Sequence, residues 1–321
     1  MNGIVLSAGW RPSVICLKCR SPLDLPIGNG SADWKASCAV CGAAYTISDG
    51  IINFGVTDAF YDDHGFTSTG REFSNDAVGR LGLYFARSHF LHDITRAVRA
   101  GCKVIEIGPG GGSRYLANRY DMLGVEISST SVRHAASTYG SAVQASIANL
   151  PLADSCADAL VSSFLLEHLA PDIVDQCISE MSRVLRPGGK MLHFFDLDSN
   201  GPFTRWAKRQ QWYTSVFIAS KGHYGMRPLS EWQRLFKEAG FAIEMHRLSC
   251  KSWLQDLSVW GALDQMEVSG LPHRLGQAAD RIRKKTNPAA DLAVNALNDI
   301  VDRLLPDHWA AKAIIGLRKT A

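Results

Sequence analysis

Residues 103–128 read KVIEIGPGGGSRYLANRYDMLGVEIS. The first part, Val104–Ile107, is an apolar run with one acid inside it, which is typical of a strand buried on both faces. Five residues, Gly108–Gly112, interrupt this pattern, and helical spacing begins at Ser113. Glycine lets the chain turn sharply and lets a ligand approach the backbone without a Cβ in the way. The stretch predicts a strand, a glycine turn and a helix; a turn that binds a ligand is favoured over a turn that binds none.

A second apolar strand, Met122–Val125, ends in Glu126. An acid in this place can accept hydrogen bonds from two ribose hydroxyls, as in dinucleotide folds. The glycine turn lacks G-x-x-x-x-G-K-[ST] and so has no lysine for a triphosphate. Ser113 stands where a G-x-G-x-x-G pattern needs its third glycine, and Glu106 would repel a pyrophosphate but suits an amino group. These residues predict a nucleoside ligand that carries an amino group.

The segment Glu106–Gly112 resembles the first motif, acid-x-G-x-G-x-G, of the class I S-adenosylmethionine (SAM) dependent methyltransferases. Three later segments resemble the same family in the same order. Ser146–Pro151, SIANLP, stands where the family commonly reads D-A-x-x-L-P and has serine in the place of the acid. Phe164–Leu169 is similar to the fourth motif, and Leu185–Lys190 reads LRPGGK, as is common before the fifth strand. The serine puts the usual carboxylate contact to adenine in doubt and leaves nearby backbone groups as the expected contacts.

The resemblance implies that SAM is the cofactor and that most of its contacts come from the ends of strands. The expected cofactor-binding residues are Glu106, Gly108, Pro109, Gly110, Gly112, Glu126, Ile127, Ser146, Ile147 and Ser163. His168 follows the fourth strand at the border of the methyl-transfer site, so it is the candidate general base for a hydroxyl acceptor. The alternative for His168 is a packed or capping histidine.

Strands alternate with helices five times from residue 103 to residue 195, which predicts a doubly wound α/β sheet. The resemblance extends this to a seven-stranded, Rossmann-like methyltransferase sheet in a domain over residues 58–321. Insertions at about 196–227 and 252–307 are expected to cover the substrate site. Residues 58–75 are polar and glycine-rich, as in a linker. Within them, Phe60–Asp62 is similar to the tyrosine-containing segment that covers the SAM pocket in the family.

Four of the eight cysteines form a pattern, Cys16, Cys19, Cys38 and Cys41, in the arrangement C-x2-C-x18-C-x2-C. Two such turns can supply four thiolates to one tetrahedral Zn²⁺ ion. Metal binding would add the folding energy that a small core does not provide. The segment resembles the zinc-ribbon modules found beside methyltransferases, so we expect a zinc-ribbon domain over residues 1–57; a metal-free ribbon is the alternative.

Two roles are open for this ribbon: contact with RNA or a protein substrate, or a structural and docking role. Its charges balance, because the first 60 positions contain four basic residues and four aspartates. A module that grips RNA needs a basic patch. The basic and aromatic segment Arg205–Tyr213 can stack bases, but it can equally form one amphipathic helix. We favour a structural or docking role for the ribbon.

The composition is that of an ordinary globular protein. The 321 residues are 46% hydrophobic and 20% charged, and the net charge of +3 is too small to argue for a nucleic-acid partner. The first dozen residues lack the basic and apolar pattern of a signal peptide. No apolar run approaches the roughly 18–20 residues of a membrane helix. We expect a cytoplasmic protein without a membrane span; the oligomeric state stays open.

Three classes of function follow from these patterns. The favoured one is a methyltransferase for a small-molecule, lipid or saccharide acceptor, because of the large insertions and the neutral ribbon. The second is an RNA methyltransferase that uses the ribbon for substrate contact. The third is a non-catalytic partner protein with the SAM-binding fold, for which the serine at position 146 is the only indication.

Overall fold

A computed structural model describes part of the chain, and within that part the architecture is one ten-stranded sheet with helices packed on it. The part of the chain that the structure describes comprises residues 4–25, 33–56, 58–63, 87–219, 221–251, 274, 277–278, 297 and 300–320. Among these residues no helix is long and apolar enough to cross a membrane.

Ten strands make the sheet, in the order β1-β2-β3-β6-β5-β4-β7-β8-β10-β9. Their bounds are β1 Asp33–Ser37, β2 Ala44–Ser48, β3 Ile51–Asn53, β4 Lys103–Ile107, β5 Asp121–Glu126, β6 Ala142–Gln144, β7 Ala157–Ser163, β8 Leu185–Asp196, β9 Phe241–Ser249 and β10 Lys312–Lys319. The strands β6, β5, β4, β7 and β8 are parallel, and β10 runs antiparallel between β8 and β9. The seven-stranded sheet predicted from the sequence is therefore confirmed as β4–β10.

Short helices cover the sheet and connect its strands. They are α1 Ala59–Asp63, α2 Arg87–Ala97, α3 Arg114–Ala117, α4 Ser129–Tyr139, α5 Val174–Val184, α6 Pro202–Ala207 and α7 Leu229–Glu238, with a π-helix at Tyr213–Ala219 and 3-10 turns at Arg11–Ser13, Leu166–His168 and Asp307–Trp309. The one-helix interpretation of Arg205–Tyr213 is wrong, because α6 ends at Ala207 and the π-helix begins only at Tyr213.

The sheet reverses its strand order at β4, since β5 lies on one side of it and β7 on the other. In such sheets ligands bind outside the carboxyl ends of the strands, at the point of reversal. Strand β4 is apolar because helices cover both faces of the sheet; Val104 and Ile105 are fully buried. The glycine turn follows this strand directly, so the fold puts it at the expected place for a ligand.

The segment Arg186–Gly189, which belongs to the LRPGGK string, interrupts β8. Leu185 pairs with Ala157 and Lys190 pairs with Ala159, so four residues loop out opposite one. Gly188 takes a left-handed conformation with φ +74° in this bulge. These four residues thus form a bulge, and the strand continues in the same direction on both sides of it.

The three N-terminal strands belong to the same sheet rather than to a separate one. Strands β1, β2 and β3 form an antiparallel meander, and β3 pairs in parallel with β6 through Ile52–Val143 and Asn53–Gln144. The Phe54 amide continues this pairing by donating to the Gln144 carbonyl at 2.9 Å. This pairing covers the edge of β6, which would otherwise expose unpaired backbone groups.

The expected insertions are described to different extents. The first, at 196–227, contains α6 and the π-helix and packs against the 3-10 turn Leu166–His168, where the Gly225 amide donates to the Glu167 carbonyl at 2.8 Å. Most of the second, at 252–307, lies outside the described residues. The same is true of residues 76–86, which precede α2.

Candidate functional site

The glycine turn after β4 has three residues in left-handed conformations. The φ angles are +61° at Gly108, +55° at Gly110 and +77° at Gly112. Residues with a Cβ rarely adopt such angles, so glycine is required here by the backbone itself. A Cβ at Gly108 would also lie 3.1 Å from Leu165 Cδ1. Pro109 lies beside Gly124 of β5, and a Cβ added to Gly124 would be 3.3 Å from the Pro109 ring.

Glu126 lies at the end of β5 and is joined to the glycine turn. Its Oε2 accepts a hydrogen bond from the Gly110 amide at 3.2 Å, and its Oε1 accepts from the amides of Ile127 at 2.8 Å and Ser128 at 3.2 Å. Burial raises the pKa of this carboxyl, and the three amide donors counteract that effect. The arrangement fixes an acid at the carboxyl edge of the sheet beside the backbone of the turn.

Glu106, the acid inside β4, contacts a residue that the sequence did not indicate. The Tyr139 hydroxyl donates to Glu106 Oε2 and accepts from the Ser113 amide at 2.8 Å. Tyr139 is the last residue of α4, and Gly140 follows it in a left-handed conformation as the helix cap. The tyrosine thus joins the acid to the start of the helix after the turn.

The segment 146–150, called here the Ser146 loop, begins just after β6. Its first residue forms a tight turn, since Ser146 Oγ accepts from the Ala148 amide at 3.2 Å. The preceding Ala145 amide donates to the Glu126 carbonyl at 3.0 Å, so the loop starts beside the end of β5. Ile147 packs partly buried against the main core.

Ser163 ends β7 opposite Phe194 of β8. The next residue, Phe164, has a left-handed φ of +54° and an exposed ring. Non-glycine residues in this conformation carry strain, and such strain is frequent at functional sites. Ser163 therefore lies at the same sheet edge as the glycine turn, and the chain changes direction abruptly at the next residue, Phe164.

The short helix α1 contacts both sides of this edge. Asp62 Oδ1 accepts from the Ser129 amide at 2.7 Å, at the first turn of α4. The Tyr61 ring lies edge-on to the His168 ring, with 6.4 Å between centroids. Burial and the negative charges of Asp58, Glu126 and Glu167 raise the pKa of Tyr61 to about 12. Helix α1 therefore lies near the carboxylates at the ends of β5 and β7.

His168 is oriented by a backbone carbonyl. Its Nδ1 is 3.1 Å from the Gly222 carbonyl oxygen, and a carbonyl only accepts, so Nδ1 carries the proton. Burial lowers the pKa of His168, although the Gly222 contact opposes this. The ring of His223 lies 4.9 Å away, and burial together with the neighbouring positive groups lowers the pKa of His223 to about 4.

Glu167 is a further site residue, and sequence reasoning gave it no role of its own. It is fully buried, its Oε1 accepts from the Asp196 amide at 3.4 Å, and no group in the described parts of the chain hydrogen-bonds to its Oε2. Burial and the charge of Asp196 raise the pKa of Glu167 well above its usual value. Lys312 Nζ lies 4.0 Å from Asp196 Oδ1 and 5.2 Å from the centre of the Phe164 ring. Glu167 stands next to His168 in the segment similar to the fourth motif, and this position is the sequence signal that could have indicated it.

The four patterned cysteines come together at a second place. The Sγ atoms of Cys16, Cys19, Cys38 and Cys41 all lie within 4.8 Å of one another. The Cys16–Cys41 and Cys19–Cys38 distances are 3.6 and 3.5 Å, and all four are free thiols. Four sulfurs around a tetrahedral zinc ion at about 2.3 Å would be separated by similar distances. The geometry therefore suits a Zn²⁺ ion.

Known proteins resemble this chain in sequence and in fold. Residues 105–193 match the family described as "Methyltransferase domain". No curated protein sequence matches the chain. These matched residues run from β4 through β8 and include the glycine turn, the Ser146 loop and the fourth-motif segment.

Three solved structures illustrate the likeness in fold. Phosphoethanolamine N-methyltransferase 2 of Haemonchus contortus, in complex with phosphomonomethylethanolamine and S-adenosylhomocysteine, has 16% identity and a TM-score of 0.52, over 82% of this chain and 59% of that one. The same enzyme with SAM has 15% identity and a TM-score of 0.49, over 84% and 61%. A SAM-dependent methyltransferase from Methanosarcina mazei has 17% identity and a TM-score of 0.45, over 71% and 97%.

The order of motifs, the seven-stranded sheet and the family match agree with one another. The likeness to solved structures concerns the fold, and the family match covers the segment that holds the glycine turn and Glu126. Residues 105–193 therefore match a methyltransferase-domain family in sequence, and the sheet that holds them has a methyltransferase-like fold.

Proposed function

We propose that the chain transfers a methyl group from SAM to a small-molecule, lipid or saccharide acceptor by in-line displacement. The observation that carries the proposal is the glycine turn joined to Glu126 at the reversal point of a methyltransferase sheet. SAM supplies a methyl group that its sulfonium already activates. Alignment of two bound reactants can therefore provide most of the acceleration, and such alignment is worth roughly 7–11 kcal/mol.

The residues proposed for SAM are those expected from the sequence, with roles that fit their surroundings. Glu126 would accept hydrogen bonds from the ribose hydroxyls, and its orientation is already fixed by three amides. The left-handed glycines would leave the backbone of the turn open to SAM, and Glu106, which accepts from the Tyr139 hydroxyl, would interact with the amino group of SAM. The Ser146 loop, Ile127 and Ser163 complete the proposed cofactor contacts.

His168 is proposed as the general base for a hydroxyl acceptor. Because Nδ1 carries the proton toward Gly222, the other nitrogen, Nε2, is the one that can accept a proton. The lowered pKa keeps the ring neutral at pH 7, as a base requires. A neutral, oriented imidazole would add about 10²–10⁴-fold to the rate.

A His168→Gln variant should lower kcat by about 10²–10⁴-fold while the KM for SAM changes little. The acid limb of the wild-type rate profile should have its midpoint below the usual histidine range, since burial lowers the pKa of His168. Steady-state kinetics between pH 5 and 8 test this. His134→Gln, on the exposed face of α4, is the matched control and should behave as wild type. A full rate in His168→Gln would show that no base acts there.

The acceptor class rests on the charge of the ribbon and on its place in the sheet. Its charges balance, and β3 is paired with β6 rather than extended into solvent. These features support a small-molecule, lipid or saccharide acceptor over RNA. The cytoplasmic location expected from the sequence is part of the same proposal.

Labelled SAM tests the function directly. The purified protein is incubated with methyl-labelled SAM and a lysate, which is then fractionated into RNA, protein, lipid and small soluble pools. We expect label in the lipid, saccharide or small-molecule pools. Label in an RNase-sensitive pool would favour the RNA alternative, and SAM binding without transfer to any pool would favour the non-catalytic one. A protein without SAM affinity would contradict the proposal.

We also propose that the four clustered cysteines hold one structural Zn²⁺ ion. The spacing of the four sulfurs supports this, as does the contact of the Tyr45 hydroxyl with Cys16 Sγ at 3.1 Å. The Tyr45 hydroxyl also accepts from the Leu17 amide at 2.9 Å and so links β2 to the first cysteine turn. Four thiolates leave no open position for catalysis, so the role would be to stabilise the fold.

A further inference from the structure

The first cysteine turn, residues 16–19, is flanked by segments that bind the connection between β6 and β7. Before the turn, Val14 bridges Leu152 in an antiparallel arrangement, and the Ile15 amide donates to the Pro151 carbonyl at 3.0 Å. The Ala153 amide returns a hydrogen bond to the Ser13 carbonyl at 2.8 Å. The metal-ligand segment is thus attached by its backbone to the residues that follow the Ser146 loop.

Arg20, just after this turn, binds the Ser146 loop itself. Its Nη1 donates to the Leu150 carbonyl at 3.2 Å, and its Nη2 donates to Asn149 Oδ1 at 3.2 Å. The backbone of Arg20 is left-handed, with φ +60°, and its amide donates to the Cys16 carbonyl at 2.8 Å. The conformation that places this guanidinium is therefore one that the cysteine turn imposes.

Helix α5 holds the same loop from another side. The Leu150 amide donates to Glu180 Oε2 at 2.7 Å, and Arg183 Nη2 donates to the Leu150 carbonyl at 3.1 Å. Arg20 Nη2 lies 3.7 Å from Glu180 Oε1. The backbone of Leu150 is therefore fixed between a helix of the methyltransferase sheet and the cysteine turn.

The other end of the loop lies at the candidate cofactor site. Ser146 follows Ala145, whose amide donates to the carbonyl of Glu126. The Gln144 side chain donates to the Ile127 carbonyl at 3.0 Å and to the Val56 carbonyl at 3.3 Å, so the ribbon side also contacts the residue after Glu126. A shift at Leu150 would therefore move the backbone proposed to contact adenine.

We propose that Arg20 is a positioning residue for SAM, through which the cysteine turn sets the conformation of the Ser146 loop. The proposal rests on the assignment of that loop to the cofactor site. Arg20 touches the loop and not the cofactor, so its effect is on affinity for SAM rather than on the chemical step. The ribbon then serves the methyltransferase site from within the fold.

If Arg20 acted only through its surface ion pair with Glu180, its removal would have little effect on SAM affinity. The Arg20 side chain is 45% exposed and its pair with Glu180 is loose, so the charge interaction alone contributes little. The two hydrogen bonds to the loop carry the proposed effect. Because left-handed backbone favours glycine, Arg20→Gly removes the side chain without adding backbone strain. This substitution separates positioning from folding.

The experiment compares Arg20→Gly with wild type and with Lys18→Ala, which removes an exposed positive charge from the same turn. Calorimetry measures the dissociation constant for SAM, and hydrogen exchange measures protection of the amides at 148–150. For Arg20→Gly we expect an affinity for SAM about 3- to 10-fold weaker, because two partly exposed hydrogen bonds to the loop are lost. The 148–150 amides should exchange faster, kcat should stay unchanged, and thermal stability should not fall. Lys18→Ala should match wild type throughout.

The outcomes separate this proposal from the proposed function. Wild-type affinity and wild-type exchange in Arg20→Gly would overturn the positioning role and leave the methyltransferase assignment intact. Faster exchange with unchanged affinity would show that the loop is held by Arg20 but does not contact SAM, which also overturns it. Absence of SAM binding by the wild-type protein would overturn both proposals.

Discussion

Gly112→Ala is expected to remove most SAM binding and to lower the free energy of unfolding. A left-handed φ of +77° strains any residue with a Cβ, by about 1–3 kcal/mol. The added Cβ would also lie 3.0 Å from Tyr139 Cζ and 3.2 Å from Thr138 Cβ, and such overpacking costs about 1–3 kcal/mol more. Tyr139 is held by Glu106 and by the Ser113 amide, so its displacement would disturb the whole turn.

Gly188→Ala is the matched control for this variant. Gly188 has nearly the same φ, +74°, but apart from its chain neighbours no atom of the described residues lies within 4 Å of the added Cβ. The Gly188→Ala variant should lose only the free energy of unfolding that backbone strain costs, about 1–3 kcal/mol, and should bind SAM as wild type does. Urea unfolding gives the stabilities and calorimetry gives the affinities. Equal stability of the two variants, with SAM binding retained in both, would contradict the packing of Tyr139 against the turn.

Local patterns in the sequence were sufficient to predict the strands of the core and the glycine turn. The run Val104–Ile107 lies in a strand with both faces covered, and the apolar segment before Glu126 is β5. These predictions succeed because burial on both faces requires continuous apolar residues, which the sequence displays directly. The cysteine cluster follows the same logic, because its spacing is a local property of two turns.

Contacts between residues distant in sequence could not be predicted. The hydroxyl of Tyr139 reaches Glu106 only because α4 packs beside β4 and β5, and no pattern near Tyr139 shows this. The parallel pairing of β3 with β6 joins segments about 90 residues apart, so the ribbon was expected as a separate unit. Its boundary at residue 57 stays a prediction. Such contacts depend on the three-dimensional packing rather than on periodicity or motif spacing.

Replacement of one clustered cysteine should have the largest effect of all on stability. Cys38→Ser is expected to abolish zinc binding and to unfold β1–β3. Structural zinc sites in small peptides contribute about 10–16 kcal/mol of apparent binding energy, while whole domains are stable by only about 5–15 kcal/mol. Loss of the ion would release the first cysteine turn and Tyr45, whose hydroxyl lies 3.1 Å from Cys16 Sγ. The edge of β6 would then lose its partner β3.

Elemental analysis and hydrogen exchange measure the two parts of this prediction. The wild-type protein should contain about one zinc ion per chain, as a four-thiolate site binds a single ion, and Cys38→Ser should contain almost none. Amides of β2, β3 and Val143 should lose protection in the variant and in chelator-treated wild type alike. Cys102→Ser is the control, because Cys102 lies outside the cysteine cluster and packs against a separate hydrophobic cluster that includes Phe90 and Val104. A zinc-free wild type with fully protected β2 and β3 would show instead that the ribbon folds without metal.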